Sequence, residues 1–284
     1  MPVPAVHTQV LVHLPCYTEG PATGPDGTLY VTTLRGKDIM AIDPGGTARS
    51  WARSVCPNGQ VVLLSGEHLV CDSDLGTVSR FSAEGAFIRH ELQGRCAHLP
   101  LRTPNDLVVD AAGGVYVTDS VRHTGHVFYR APDGRQRVVA TGLDYPNGLA
   151  LSADERCLYV AESYQNRVLQ IGLAGPGATV GSPAVFARLP VHASGRAVDN
   201  LPDGMAFDAT GRLWVAHYGM GAVQVLSPTG AWLFAVETGL PLTSNVLISD
   251  AKTNERVLIV TGGFGEPGPG AVLKLTVTET LHYP

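Results

Sequence analysis

The chain has 284 residues, a net charge of −5 and 33 glycines, with 44% hydrophobic and 16% charged residues. This composition describes a packed globular protein and excludes a disordered one. No apolar run approaches the roughly 18 residues of a membrane span, and the mild acidity gives no electrostatic footprint for nucleic acid.

The N-terminal stretch "MPVPAVHTQVLVHLP" lacks the basic start and apolar core of a secretory signal. The five cysteines, Cys16, Cys56, Cys71, Cys96 and Cys157, are odd in number and show no C-x-x-C spacing. Reduced, mostly buried thiols in a cytoplasmic protein are therefore expected, not a disulfide framework or a zinc knuckle.

Along the chain one design recurs. A polar residue heads an apolar run, a turn follows, and a second apolar run begins at an aromatic residue or leucine: "TPNDLVVDAAGGVYVTDS", "YPNGLALSADERCLYVAES" and "LPDGMAFDATGRLWVAHY". The heads are Glu19, Asn58, Asn105, Asn147, Asp203 and Asn245; the aromatic or leucine positions are Tyr30, Leu69, Tyr116, Tyr159, Trp214 and Leu258. Period-two runs broken by "SAEG", "PDG" and "SPTG" continue each unit as antiparallel hairpins.

Units of about 40–45 residues with four strands each are the signature of propeller blades. The chain is accordingly expected to be all-β, a six-bladed β-propeller spanning 1–284 as one domain. The leading strand, residues 7–14, closes the last blade and removes exposed sheet edges.

In a propeller the innermost strand lines the channel, so the six heads should form a ring around the axis. Each head carries a side-chain oxygen, and two are carboxylates. Converging them has a desolvation cost that small apolar residues would avoid. Oxygen donors around a hard cation give the convergence a purpose, and calcium takes 6–8 oxygens in irregular geometry. The expectation is a metal site in the central channel, with Ca²⁺ ahead of Mn²⁺, Zn²⁺ or Mg²⁺.

Taken together and in order from about Glu19 to Thr276, these segments resemble the senescence marker protein/gluconolactonase family. That resemblance implies a six-bladed propeller that hydrolyses lactones with one divalent cation, a plan shared with paraoxonases and diisopropyl fluorophosphatase. By position it implies Glu19, Asn147 and Asp203 as metal ligands, with Asn105 as a fourth ligand or substrate contact. It also makes Asp203 the catalytic carboxylate, as base toward water or as direct nucleophile. Asn58 and Asn245 would hold water or groups behind the ligands, and Arg102 would meet substrate, although "TP" alters its spacing to Asn105. Condensation as in strictosidine-synthase-like relatives, hydrolysis of phosphoesters or epoxides, and a noncatalytic interaction propeller are the alternatives.

Three residues past each aromatic or leucine position stands a second polar tier: Thr33, Asp72, Asp119, Glu162, His217 and Thr261. His217 and Tyr218 are expected in the pocket, and "VHASGRAVDN" before Asp203 on its rim. His123 and His126 are expected in a surface loop. "GFGEPG" lacks the strand–turn–helix context of a dinucleotide site. "DSDLG" has Ala83 where a calcium loop needs Glu. The partner expected is a small-molecule substrate, with neither nucleic acid nor membrane.

Overall fold

The computed structural model describes residues 4–252 and 254–279. Almost every regular segment is a strand, and the two short exceptions are 3₁₀ turns at Ser163–Gln165 and Ala197–Asp199. The expectation of a six-bladed propeller holds. Among the described residues, no helix is long and apolar enough to cross a membrane.

Blade 1 comprises Thr18–Thr23, Leu29–Thr33, Asp38–Ile42 and Ala48–Arg53, and blade 2 comprises Pro57–Val62, His68–Asp72, Thr77–Phe81 and Phe87–Gln93. A small hairpin, Arg95–Cys96 with Leu99–Pro100, leads into blade 3. Blade 3 is Pro104–Val109, Val115–Asp119, Gly125–Arg130 and Gln136–Leu143; blade 4 is Pro146–Leu151, Cys157–Glu162, Arg167–Gly175 and Ala178–Arg188. Blade 5 runs Leu201–Phe207, Leu213–Tyr218, Ala222–Leu226 and Trp232–Glu237. Blade 6 runs Leu242–Lys252, Glu255–Gly263 and Gly270–Thr278, and Ala5–Leu14 pairs antiparallel with its third strand as a fourth. A single pair, Tyr218 opposite Leu242, joins blades 5 and 6 into one sheet.

Burial explains why neighbouring blades stack. Six separate apolar clusters fill the six interfaces: Ile39 with Val70 and Phe81 between blades 1 and 2, and Leu69, Cys71 and Val117 between 2 and 3. Tyr116, Leu158 and Ile171 fill the next, and Tyr159, Met205 and Val215 the one after. Trp214, Val260 and Leu275 pack blades 5 and 6, and Leu14, Val31 and Val272 pack blade 6 onto blade 1. Each sheet is apolar on both faces because each is sandwiched between two others, so its inner strands read as near-continuous apolar runs. All five cysteines are free.

At the head of an inner strand the ladder breaks. Register shifts fall between Glu19 and Ala22, Pro57 and Gln60, Pro104 and Leu107, Pro146 and Leu149, and Pro202 and Met205. Such a bulge turns the strand and re-aims the side chain it carries. Gly148 and Gly204, each following a head, pack against the next blade. A Cβ on Gly148 would overlap the Asp203 carbonyl, and one on Gly204 would overlap the Asn245 amide. Glycine at these two positions lets the inner strands converge.

One buried histidine lies away from the channel mouth. His68 is 1% exposed, stacked on Trp51 at 4.0 Å and edge-on to Tyr30 at 4.5 Å, with Nδ1 3.1 Å from Gln60 Oε1. Burial pushes its pKa down to about 4. The unfolded imidazole takes up a proton below about 6.5, so between pH 6.5 and 4 the unfolded chain binds more protons and stability falls as pH falls. Urea unfolding at pH 7 and pH 5 should show wild type losing about 2 kcal/mol more than His68→Gln over that interval. Equal losses would mean that folded His68 carries a proton at pH 5.

Candidate active site

The side chains that the bulges aim inward meet in a cavity of about 250 Å³. Glu19, Asn58, Asn105, Asn147 and Asp203 all line it, so five of the six predicted heads converge. Asn245 stands behind the wall: its Oδ1 accepts from the Val246 N–H at 2.8 Å, and its side chain hydrogen-bonds Glu19.

Two features of these donors matter chemically. Asn58 Oδ1 and Asn147 Oδ1 are buried without a hydrogen-bond partner, an arrangement that costs about 1–3 kcal/mol per group unless something else occupies the lone pairs. Burial pushes the Glu19 pKa up to about 8 and, together with the charges of Glu19, Asp106 and Glu266, holds Asp203 well above the usual carboxylate range. Two dehydrated carboxylates beside orphaned amide oxygens form a set that a cation stabilises, since an opposite charge favours their ionised forms. Among the described residues no three His, Cys, Asp or Glu side chains gather into a metal cluster. The donor set that does converge is mixed carboxylate and amide, which suits a hard oxygen-seeking ion.

The acids of the second tier bind backbone. Asp72 Oδ2 accepts from the Val55 and Cys56 N–H groups at 2.7 and 3.0 Å and from the Ser54 hydroxyl. Asp119 Oδ1 accepts from the Arg102 and Thr103 N–H groups at 2.9 and 2.6 Å. Glu162 accepts from the Asp144 N–H at 2.8 Å and from Arg167 Nε at 2.6 Å. Each acid thus clamps the backbone just before its own blade's head. Asp72, Asp119 and Glu162 do not line the cavity; nor do Thr33, whose hydroxyl donates to the Asp38 carbonyl, and Thr261, paired with the Ser244 hydroxyl.

His217 occupies the corresponding place in blade 5. It is fully buried outside the cavity wall, and neither ring nitrogen has a well-formed hydrogen bond; the Asn200 backbone only approaches it. Burial holds its pKa near 4. Arg102 is exposed and also stands outside the cavity lining. Of the four residues predicted to meet substrate, Asn105 and Tyr218 line the cavity. His123 lies in a turn, but His126 belongs to the third strand of blade 3, not to a loop.

Hydroxyl groups then stitch blade to blade. Ser73 donates to the Pro104 carbonyl at 2.8 Å, Ser120 to Pro146 at 2.5 Å, Ser163 to Pro202 at 2.7 Å and Ser244 to Thr18 at 2.8 Å. Thr32 donates to the Asn58 carbonyl at 2.7 Å. In each case the accepting carbonyl lies at or next to a head, so the ring is held by its neighbours.

Several wall residues escaped the sequence reading. Tyr17, Tyr145 and Leu201 each stand two residues before a head, a spacing that could have revealed them. Leu34 and Ser163 each follow a second-tier residue by one position, as the predicted Tyr218 does. Val198, from the predicted rim segment, Tyr164 and Glu266, from "GFGEPG", complete the wall. Asp106 replaces glycine after its head; it is half-buried, accepts from the Leu149 N–H at 3.0 Å, and desolvation raises its pKa to about 6.

Against known proteins, the family model described as SMP-30/Gluconolactonase/LRE-like region matches residues 17–262. Lactonase drp35 of Staphylococcus aureus is 36% identical over 131 residues, covering 44% of this chain and 39% of that protein. Lactonase drp35 of Staphylococcus haemolyticus gives 36% over 132 residues, with coverage of 44% and 39%. The match therefore spans well under half the length of these curated relatives. A solved gluconolactonase from Xanthomonas campestris is similar with a TM-score of 0.79 and 26% identity, covering 96% of this chain and 90% of that one. Regucalcin of Agrobacterium tumefaciens, a calcium-binding protein, has a TM-score of 0.79 at 19% identity, covering 97% and 96%, a likeness of fold.

The clamps make a stability prediction. Asp72→Ala and Asp119→Ala each leave backbone donors without their acceptor and should lower unfolding free energy by on the order of 2 kcal/mol. Asp72→Ala should be the worse, because Asp72 Oδ1 also receives the Leu75 N–H at 2.9 Å. Urea midpoints within error of wild type would show that the loops before the heads hold themselves.

Proposed function

The chain belongs to the SMP-30/Gluconolactonase/LRE-like family, and from that premise we propose that it is a metal-dependent lactonase whose reaction takes place at the ring of heads. The observation that carries the reading is the pairing of Glu19 and Asp203 with orphaned amide oxygens in one cavity. The lactonase and gluconolactonase names of its relatives support the reaction class. Glu19, Asn147 and Asp203 would hold the ion, with Asn105 beside them. Hard oxygen donors disfavour zinc, and calcium is preferred over magnesium or manganese because it accepts 6–8 oxygens in irregular geometry. When bound, such a cation supplies Lewis acidity toward the lactone carbonyl and toward water.

The chain's own residues do the rest. Asp203 takes the proton of the water whose oxygen attacks the carbonyl carbon. The ring C–O bond breaks, and the proton passes to the departing alkoxide oxygen, giving the hydroxy acid. A carboxylate in that role is typically worth about 10²–10⁴ in rate. Asn105 orients the substrate, while Tyr17, Tyr145 and Tyr218 narrow the approach and keep bulk water from the reacting atoms. The substrate is a small molecule that fits about 250 Å³. Five free thiols support a reducing, cytoplasmic setting.

The test separates ligand from base. Lactone hydrolysis should require a divalent ion and be lost on chelation, and calorimetry should register the binding itself. Glu19→Gln should weaken binding and recover most of its turnover in excess metal. Asp203→Asn should remain about 10²–10⁴ slower when saturated. Near-normal turnover by the saturated Asp203→Asn protein would remove the base assignment. A higher rate on aryl esters or phosphotriesters than on any lactone would replace the substrate class.

A further inference from the structure

The wall of the cavity is unusual in what it lacks. Its lining includes Tyr17, Tyr145, Tyr164, Tyr218 and three carboxylates, Glu19, Asp203 and Glu266, but no Lys, Arg or His among the described residues. The tyrosines form two edge-on pairs, Tyr17 with Tyr218 at 6.3 Å and Tyr145 with Tyr164 at 5.7 Å. Glu266 is exposed in the mouth, and its Oε1 accepts from the Tyr218 hydroxyl at 3.0 Å. That bond ties the carboxylate to the aromatic wall and leaves its other oxygen outside the contact.

Two arginines border this region, and each is already paired with an aspartate. Arg35, next to Leu34, pairs with Asp74 at 2.6 Å. Arg122 lies 3.5 Å over the Tyr164 ring and pairs with Asp144 at 2.7 Å. The Arg122 contact shows that the outer face of this aromatic wall already accepts a cation. Next to Asn105, half-buried Asp106 adds a further carboxylate. A divalent ion held by Glu19 and Asp203 would offset those two charges and leave Glu266 and Asp106 unbalanced.

We propose that Tyr145, Tyr164, Tyr218 and Glu266 form a subsite for a quaternary or tertiary ammonium group, so that the enzyme favours lactones bearing a cationic substituent over neutral or anionic ones. Aromatic faces and a carboxylate are the groups that bind such cations, because the ring quadrupole and the full charge both attract a weakly hydrated positive ion. Glu266 is placed to recognise the substituent, apart from the atoms that react. The proposal rests on the lactonase reading for its substrate but not for its ligand.

The direct test compares choline with 3,3-dimethylbutan-1-ol, which has the same shape without the charge, by calorimetry on the full chain supplied with calcium. Choline should bind at least about tenfold more tightly, as expected of a partly desolvated cation–aromatic contact. Glu266→Gln should remove most of that difference and should lower kcat/KM on a trimethylammonium lactone by more than on its tert-butyl counterpart. The second arm measures kcat/KM on γ-butyrolactones carrying trimethylammonium, tert-butyl or carboxylate groups, expected in that descending order. Equal binding of choline and its neutral analogue, or a Glu266→Gln protein with the full preference, would overturn the subsite. If choline is preferred but none of the three lactones is hydrolysed, the subsite stands and the lactonase reading falls.

Discussion

Convergence of six inner strands on one axis is the constraint from which the rest of this molecule follows. Backbones that close leave no room for side chains between them, so Gly148 and Gly204 sit against the next blade. Ladder hydrogen bonds cannot continue through such a bend, so bulges interrupt them at the heads. The polar groups released there must find other partners. Hydroxyls from Ser73, Ser120, Ser163 and Ser244 take up carbonyls, and carboxylates of Asp72, Asp119 and Glu162 take up N–H groups. Among the atoms left without a partner are Asn58 Oδ1 and Asn147 Oδ1, and the heads that carry them line the candidate site.

Charge is distributed by the same logic. Away from the axis, buried acids are matched. Asp208 receives Arg256 and the Trp214 indole, and Glu91 meets Arg80, Arg89 and Arg130. Arginine contacts at Glu91, and hydrogen bonds from Thr210, Trp214, the Arg212 N–H and Arg256 at Asp208, hold both below the usual carboxylate range against the opposing effect of burial. At the axis no such partner is present, and the same burial raises Glu19 and Asp203 instead. Unmatched buried charge is what a scaffold avoids and a reactive centre uses.

Much of this was legible in the sequence because it repeats. The six heads, their spacing from Tyr116 or Trp214, and the period-two runs between turns carry the blade count, and the polarity of the heads places the site. The clamps were visible as a tier, but their purpose was not: sequence shows that Asp119 ends a strand, not that it bends back to the N–H groups of Arg102 and Thr103. Arg102 was misplaced for the same reason, since the backbone held by Asp119 leaves its side chain in solvent. Glu266 was hidden because it belongs to no repeat. It arrives on the loop between the second and third strands of blade 6, whose position is set by the Tyr17 N–H donating to the Pro267 carbonyl at 2.8 Å.

The pairing of Ala5–Leu14 with Gly270–Thr278 has a consequence in time. During synthesis the first strand emerges with no partner, and its own blade is completed last. At roughly 5–20 residues per second, it waits on the order of 15–50 s before the strand that covers it is made. For that interval Val6, Val10 and Val12 present an unpaired edge, the kind of surface on which nascent chains stick to one another. Blades 1 to 4 can stack meanwhile, but the cradle at the axis lacks Asp203 until the fifth blade is made. The ribosome therefore delivers most of the scaffold first and completes the ring of heads only near the end.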